Sequence, residues 1–182
     1  FENAVGNQLA DVFFRPYTKK MWGIEPNQLE ISIGARLPVR TNEDDRYFND
    51  NFQALPKYGY TKMIQNMLNH ENIHLKLNAE YEKGMEKDYF HSFLCTPIDE
   101  YYDCKYGVLP YRSIIFHHKR EINDNFPVPV LNFTDDSCFT RKTQWNLLPN
   151  SYGQINKIKT ITYERPCSLE ENPGEYYYPV QT

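Results

Sequence analysis

Four stretches of the 182-residue chain carry side chains suited to handling an anion. "PYTKKMWG", Pro16 to Gly23, sets two lysines between a tyrosine and a tryptophan. Cations beside flat rings fit an anionic molecule with a stackable face, such as a nucleotide; a plain helix end stopped by glycine fits too. "GARLPVRTNEDDRYFND", Gly34 to Asp50, holds Arg36, Arg40 and Arg46. A loop arginine can close on phosphate through two parallel N–H bonds, which a lysine cannot match, although each of the three can also be read as a solvated charge. "NFTDDSCFTR", Asn132 to Arg141, ends a strand with an amide, two carboxylates and an arginine. The amide can pair with a base edge or hydroxyl and the guanidinium with phosphate. Asp135 and Asp136 are adjacent and would point to opposite sides of an extended chain, so a turn fits better than an acid/base couple. "EYYYPVQT", Glu175 to Thr182, groups three tyrosines that can donate to phosphate oxygens or form an edge strand.

Other chemistry is disfavoured. His117 and His118 are neighbours in a strand and face oppositely, which argues against a metal pair. Cys95, Cys104, Cys138 and Cys167 show neither CxxC nor zinc spacing and read as free thiols in a reducing compartment. No Ser–His or Cys–His signature offers a nucleophile, and no GxGxxG or GxxxxGK offers a phosphate loop. A net charge of −4 argues against a general electrostatic hold on nucleic acid, so an anion must be caught by a few local cations. No apolar run reaches about 18 residues and the N-terminus has no signal-peptide form, which gives no membrane span and a cytoplasmic location by default.

The elements that must position these residues follow from periodicity. Val5, Leu9, Val12 and Phe13 fall at helical spacing, which predicts an amphipathic helix over about 2–14, ended before Pro16. Pro26 opens a short helical turn. Residues 34–50 mix charge, glycine and proline with little periodicity and read as a long, mobile loop. "GYTKMIQNMLNH" places Tyr60, Met63, Ile64, Met67 and Leu68 on one helical face. Alternation predicts a strand in "NIHLKLNAE" (72–80), and β-branched or aromatic content predicts strands at 88–96, 113–121, 128–134 and 157–164. The fold class is α+β: short helices and a mobile loop over 1–70, strands at 71–97, then a mostly antiparallel sheet over 98–182.

"FFRPYTKKMWG", "ARLPVR", "YFNDNFQALPKYGYTKMIQNML", "TPIDEYYDCKYGVLPYRSI", "NFTD…FTR" and "YYYPV" occur in the order and spacing of one family. Over nearly its whole length the chain resembles UDP-galactopyranose mutase, the flavoenzyme interconverting UDP-galactopyranose and UDP-galactofuranose. The resemblance implies that Tyr17 stacks on uracil, with Phe13 and Phe14 walling the pocket and Trp22 close by. It leaves Lys19 and Lys20 as solvated helix-end charges. Arg36 and Arg141 match the two arginines that clamp the diphosphate, and Tyr47 with the Tyr177–Tyr178 pair matches phosphate-binding tyrosines, without choosing between 177 and 178. Asn132 is implied on the substrate side, and Arg112 near the flavin.

The same resemblance implies FAD as cofactor, its reduced form being the nucleophile and UDP the leaving group, and a possible homodimer. The family's glycine-rich FAD segment and its C-terminal stretch are not in this sequence, so residues 71–97 are expected to join a flavin domain in a longer parent. The chain alone is then expected to be inactive and colourless. "KTQWNLLPNS" after Arg141 and Thr96 in "LCTPID" depart from the family pattern. They keep open a relative acting on another nucleotide sugar, or a non-enzymatic UDP-sugar-binding domain.

Overall fold

The computed structural model describes residues 2–34, 39–44, 46–121, 127–148 and 159–180. The chain forms two units, one of Phe1–Ala54 with Pro110–Thr182 and one of Leu55–Leu109.

The first unit opens on helix α1, Glu2–Leu9, broken at Gly6, whose φ of 77° and ψ of 163° lie in a region open essentially to glycine alone. The helical path does not stop before Pro16, as periodicity predicts. It passes through a π-helical turn, Ala10–Phe14, into α2, Arg15–Trp22. The cause is steric. In a regular α-helix the Pro16 ring would crowd the carbonyl four residues back, and the wider turn, in which the Arg15 N–H reaches the Ala10 carbonyl, makes room. Helix α2 ends on Gly23 at φ 76°, where its N–H returns to the Lys19 carbonyl at 2.8 Å. The left-handed conformation favours glycine, and a Cβ on Gly23 would stand 2.8 Å from Nη1 of Arg112, so the tip of that side chain would also have to shift. The Pro26–Gln28 turn forms as expected, capped reciprocally by Glu25 and Gln28. A short helix α3, Ile31–Gly34, follows.

The rest of this unit is a five-stranded antiparallel sheet in the order β2-β3-β4-β1-β5, which makes the fold α+β. The strands are β1 Tyr111–Glu121, β2 Val130–Asn132, β3 Arg141–Gln144, β4 Lys159–Ser168 and β5 Tyr178–Pro179. Strands β1 and β4 form its spine, in register from Arg112↔Ser168 to Glu121↔Lys159. The interior is small and largely polar. Ala10, Ile114, Ile161 and Cys167 are buried beside Ser113, Thr140, Thr143, Gln144 and Thr162. Most of those polar groups are engaged: Ser113 Oγ donates to the Glu175 carbonyl at 2.7 Å and accepts from Asn172 Nδ2 at 3.0 Å. The Trp145 indole N–H donates to Thr162 Oγ1 at 2.7 Å. Such a core gains less from hydrophobic transfer and more from satisfied hydrogen bonds.

The second unit holds α4, Gly59–Leu68, on the expected span, and α5, Ile98–Tyr101. Asp99 closes the turn after α5, its carbonyl accepting from Cys104 N–H at 2.7 Å and Oδ2 from Leu109 N–H at 2.9 Å. The expected strands at 72–80 and 88–96 are absent among the described residues. Alternation supplies a face but not a pairing strand, and Leu75, Leu77, Phe90 and Phe93 stay exposed. The apolar stripes of α1 and α4 are likewise little covered, with Leu9, Val12, Ile64 and Met67 exposed.

Gly23→Ala should lose stability beyond the about 1–2 kcal/mol of a left-handed alanine, because Arg112 must also move. Urea unfolding of Gly23→Ala with and without Arg112→Ala checks this. The second change should recover the excess, and a loss unaffected by Arg112→Ala would contradict the close contact.

Candidate functional site

Antiparallel partners share a sheet face, so the register lines up one row across four strands. Asn132 on β2 pairs with Arg141 on β3, Arg141 with Glu164 on β4, and Glu164 with Phe116 on β1. Four residues back along β1, Arg112 lies on that same face and pairs with Tyr178 on β5. An amide, two guanidiniums, a carboxylate and a phenol thus stand on one side of the sheet.

Their contacts are sparse. Arg141 Nε donates to Asn132 Oδ1 at 3.2 Å, and Nη1 lies 3.8 Å from Glu164 Oε1. Half-exposed Arg141 therefore keeps N–H groups unengaged among the described residues. The row is pinned from beneath by Thr140, which donates from N–H at 2.9 Å and from Oγ1 at 3.2 Å to the Glu164 carbonyl.

Helix α2 brings the aromatic residues. The Trp22 ring lies 4.7 Å from that of Tyr178, tilted by 52°. The Tyr178 hydroxyl is buried without a hydrogen-bond partner among the described residues. Burial pushes its pKa from 10.0 up to about 12; the charges of Arg112 and Arg141 pull it down, and Tyr17 and Glu164 push it up. Tyr177 is more exposed and packs its ring 6.1 Å from Phe116; burial, then the Glu175 and Glu164 charges, raise its pKa. Arg112 docks β1 onto the end of α2, its Nε donating to the Met21 carbonyl at 3.2 Å, where the helix dipole favours a cation.

Trp22, Arg112, Asn132, Arg141 and Tyr178 are thus gathered by α2 and one sheet face, with Tyr177 against Phe116 and Tyr17 on the same helix as Trp22. Phe13 and Phe14 sit in the π-helical turn one helical turn before Tyr17, Phe13 half exposed. Tyr47 stands apart, edge-on to Phe48 at 4.7 Å. Arg36 lies outside the described residues. Of the neighbouring loop arginines, Arg46 is held by Asp44 at 2.8 Å, and Arg40 reaches Asn49 at 2.6 Å. The Arg46 guanidinium, and then the Arg46 N–H, hold the Asp44 carboxyl well below the usual carboxylate range.

One expectation fails. Lys19 is indeed exposed and pairs with Glu25, but Lys20 is no solvated charge. Only 14% of its side chain is exposed, and Nζ donates to the carbonyls of Phe139 at 2.9 Å and Phe133 at 3.3 Å, with Asp135 Oδ1 at 3.4 Å. Sequence offered no sign of this, because its acceptors are backbone oxygens 113 and 119 positions away. Glu164 and Phe116 were also missed, and only the register reveals them.

The family model described as UDP-galactopyranose mutase matches residues 12–182. A probable UDP-galactopyranose mutase of Klebsiella pneumoniae is 38% identical over 178 residues, covering 97% of this chain and 46% of that protein. The dTDP-fucopyranose mutase of Escherichia coli is 34% identical over 185 residues, covering 97% of this chain and 48% of that protein. The UDP-galactopyranose mutase of Mycoplasma genitalium is 30% identical over 184 residues, covering 92% and 45%. The chain spans about half the length of these relatives.

The orphaned hydroxyl makes a prediction about stability. The folded chain keeps the Tyr178 proton to about pH 12, whereas the unfolded chain releases it near 10.0, so stability falls as pH rises through that window and is fully present below it. Tyr178→Phe should flatten that share of the slope. At neutral pH it should leave stability unchanged or raise it by up to about 1 kcal/mol, since a buried hydroxyl lacking a partner is removed. Urea unfolding at neutral and alkaline pH measures both, and a clear loss at neutral pH would show that the hydroxyl is satisfied in the fold.

Proposed function

Because the chain belongs to the UDP-galactopyranose mutase family, we propose that it is the substrate-binding part of a flavin-dependent isomerase interconverting UDP-galactopyranose and UDP-galactofuranose. The observation that carries this reading is the row Asn132–Arg141–Glu164 beside the orphaned Tyr178 hydroxyl. An open guanidinium and a desolvated phenol donor are what a diphosphate needs, and neither is consumed by the fold.

The roles follow from chemistry. Tyr17 stacks on the uracil, with Phe13, Phe14 and Trp22 around it, a contact worth about 1–3 kcal/mol per base. Arg141 binds the diphosphate through its fork and Asn132 steers that fork. The buried Tyr178 hydroxyl is the better phosphate donor of the tyrosine pair, and Tyr177 lines the edge. Arg36 is assigned as the second clamp and Tyr47 as a further phosphate donor. Positive charge there offsets the charge that develops on UDP as it leaves the anomeric carbon.

FAD, in its reduced form, supplies the nucleophile for that carbon when bound. Arg112 is the residue of this chain nearest to that role. Its guanidinium is oriented by the Met21 carbonyl in a part-buried contact, and a cation held in that way suits an electron-rich ring system. A cytoplasmic location and a possible homodimer belong to the same reading. Among the described residues no helix is long and apolar enough to cross a membrane. A second reading, a mutase of another nucleotide sugar, is favoured by the 34% identical relative that is named for dTDP-fucopyranose.

In the whole flavin-containing protein, Arg141→Ala should weaken UDP binding by about 10- to 100-fold, the loss of a charge-assisted contact of about 1.5–3 kcal/mol, and should depress turnover with flavin content intact. Arg141→Lys should recover little, because a point charge lacks the fork. Arg36→Ala should behave alike. Assays with UDP-galactofuranose and with dTDP-sugars decide between the two readings. Normal turnover in both arginine variants would defeat the assignment of the clamp.

A further inference from the structure

Lys20 has a geometry that a helix-surface lysine does not need. An ammonium carries three donors and no acceptor, and Lys20 directs its own at two backbone carbonyls and one carboxylate. The two carbonyls belong to Phe133 and Phe139, at opposite ends of the loop that joins β2 to β3. Phe133 follows Asn132 directly, and Phe139 stands two residues before Arg141. The loop is closed upon itself by the Phe133 N–H bond to the Thr140 carbonyl at 2.9 Å, and by Ser137, whose Oγ donates to Asp135 Oδ1 at 2.6 Å. Asp135 is held ionised, first by the Ser137 hydroxyl and then with help from Lys20. Tyr17 lies three residues before Lys20 on α2, and residues so spaced share a helix face.

We propose that Lys20 is a positioning residue: by gripping both ends of the β2–β3 hairpin it fixes where Asn132 and Arg141 stand relative to Tyr17. One ammonium thereby ties the ring that takes the base to the arginine that takes the diphosphate, so the spacing between those two contacts depends on it. This deepens the nucleotide-sugar reading above and rests on it. A purely structural lysine would contribute to stability alone.

The test uses the whole protein and UDP as the probe, with Lys20→Met, Lys20→Arg, Arg141→Ala and the Lys20→Met/Arg141→Ala double variant. Amide exchange is followed at Phe133 and Thr140 in the hairpin and along the β1–β4 ladder. Expected in Lys20→Met are hairpin exchange at least about tenfold faster with the ladder unchanged, and UDP affinity weaker by about tenfold. Adding Arg141→Ala should then cost far less than it does alone, since coupled residues are not additive. Lys20→Arg, which keeps donors for the carbonyls, should recover most of the affinity. The proposal is overturned if hairpin exchange is unchanged, if the ladder loosens equally, if UDP affinity is unchanged, or if the two losses simply multiply. A wild-type protein that binds no UDP while its hairpin responds to Lys20→Met sinks the nucleotide reading instead, which keeps the two failures apart.

Discussion

Everything in the sheet face depends on the register of β4 between its neighbours. Arg141↔Glu164 on one side and Phe116↔Glu164 on the other make Glu164 the middle of the row. A slip of one residue would turn Arg141 to the far face and bring Lys142 to the near one, because side chains alternate with a period of two. Thr140 guards against that slip. It is almost wholly buried and gives both of its donors to the Glu164 carbonyl. The short strand β3 is thereby fixed at the residue next to Arg141, where β2, with three residues, offers little to fix it.

The helical part is joined to this sheet by polar contacts as well as by the Trp22–Tyr178 ring contact. The Arg112 guanidinium meets the end of α2 at Met21 and fills the space over Gly23, and Lys20 meets the hairpin. A polar joint depends on direction as well as distance, so it holds orientation more tightly than a greasy contact of equal strength. A site that must present a ring and a guanidinium to one ligand at fixed spacing gains from such a joint.

The sequence made some of this legible and hid the rest for physical reasons. Strand content in 113–121 and 157–164, the α4 helix and the Pro26 turn could be read because each depends on local periodicity or on one proline. The candidates Tyr17, Asn132, Arg141 and Tyr178 are legible as residue types, while the common face of Asn132, Arg141 and Tyr178 is not, since only the pairing of distant strands creates it. Lys20 was misread because its partners are main-chain oxygens, which leave no trace in residue identity. The strands foreseen at 72–80 and 88–96 carry the right alternation, yet alternation alone does not form a ladder. Arg36 stands outside the described residues, and the sequence remains the ground for its role.

The π-helical turn at Ala10–Phe14 carries a consequence for how this helix can vary. Such a turn is an α-turn with one residue added, and each residue in a helix advances the azimuth by about 100°. Residues just before the turn, such as Leu9, and the face bearing Tyr17 and Lys20 are therefore out of phase, and a helical wheel drawn through both misplaces one of them. Length at this turn acts as a dial. Losing one residue there would swing the Tyr17 ring about the helix axis by roughly 100°, with the ring and its neighbours chemically untouched, while pressing the Pro16 ring back against the carbonyl that the wider turn clears.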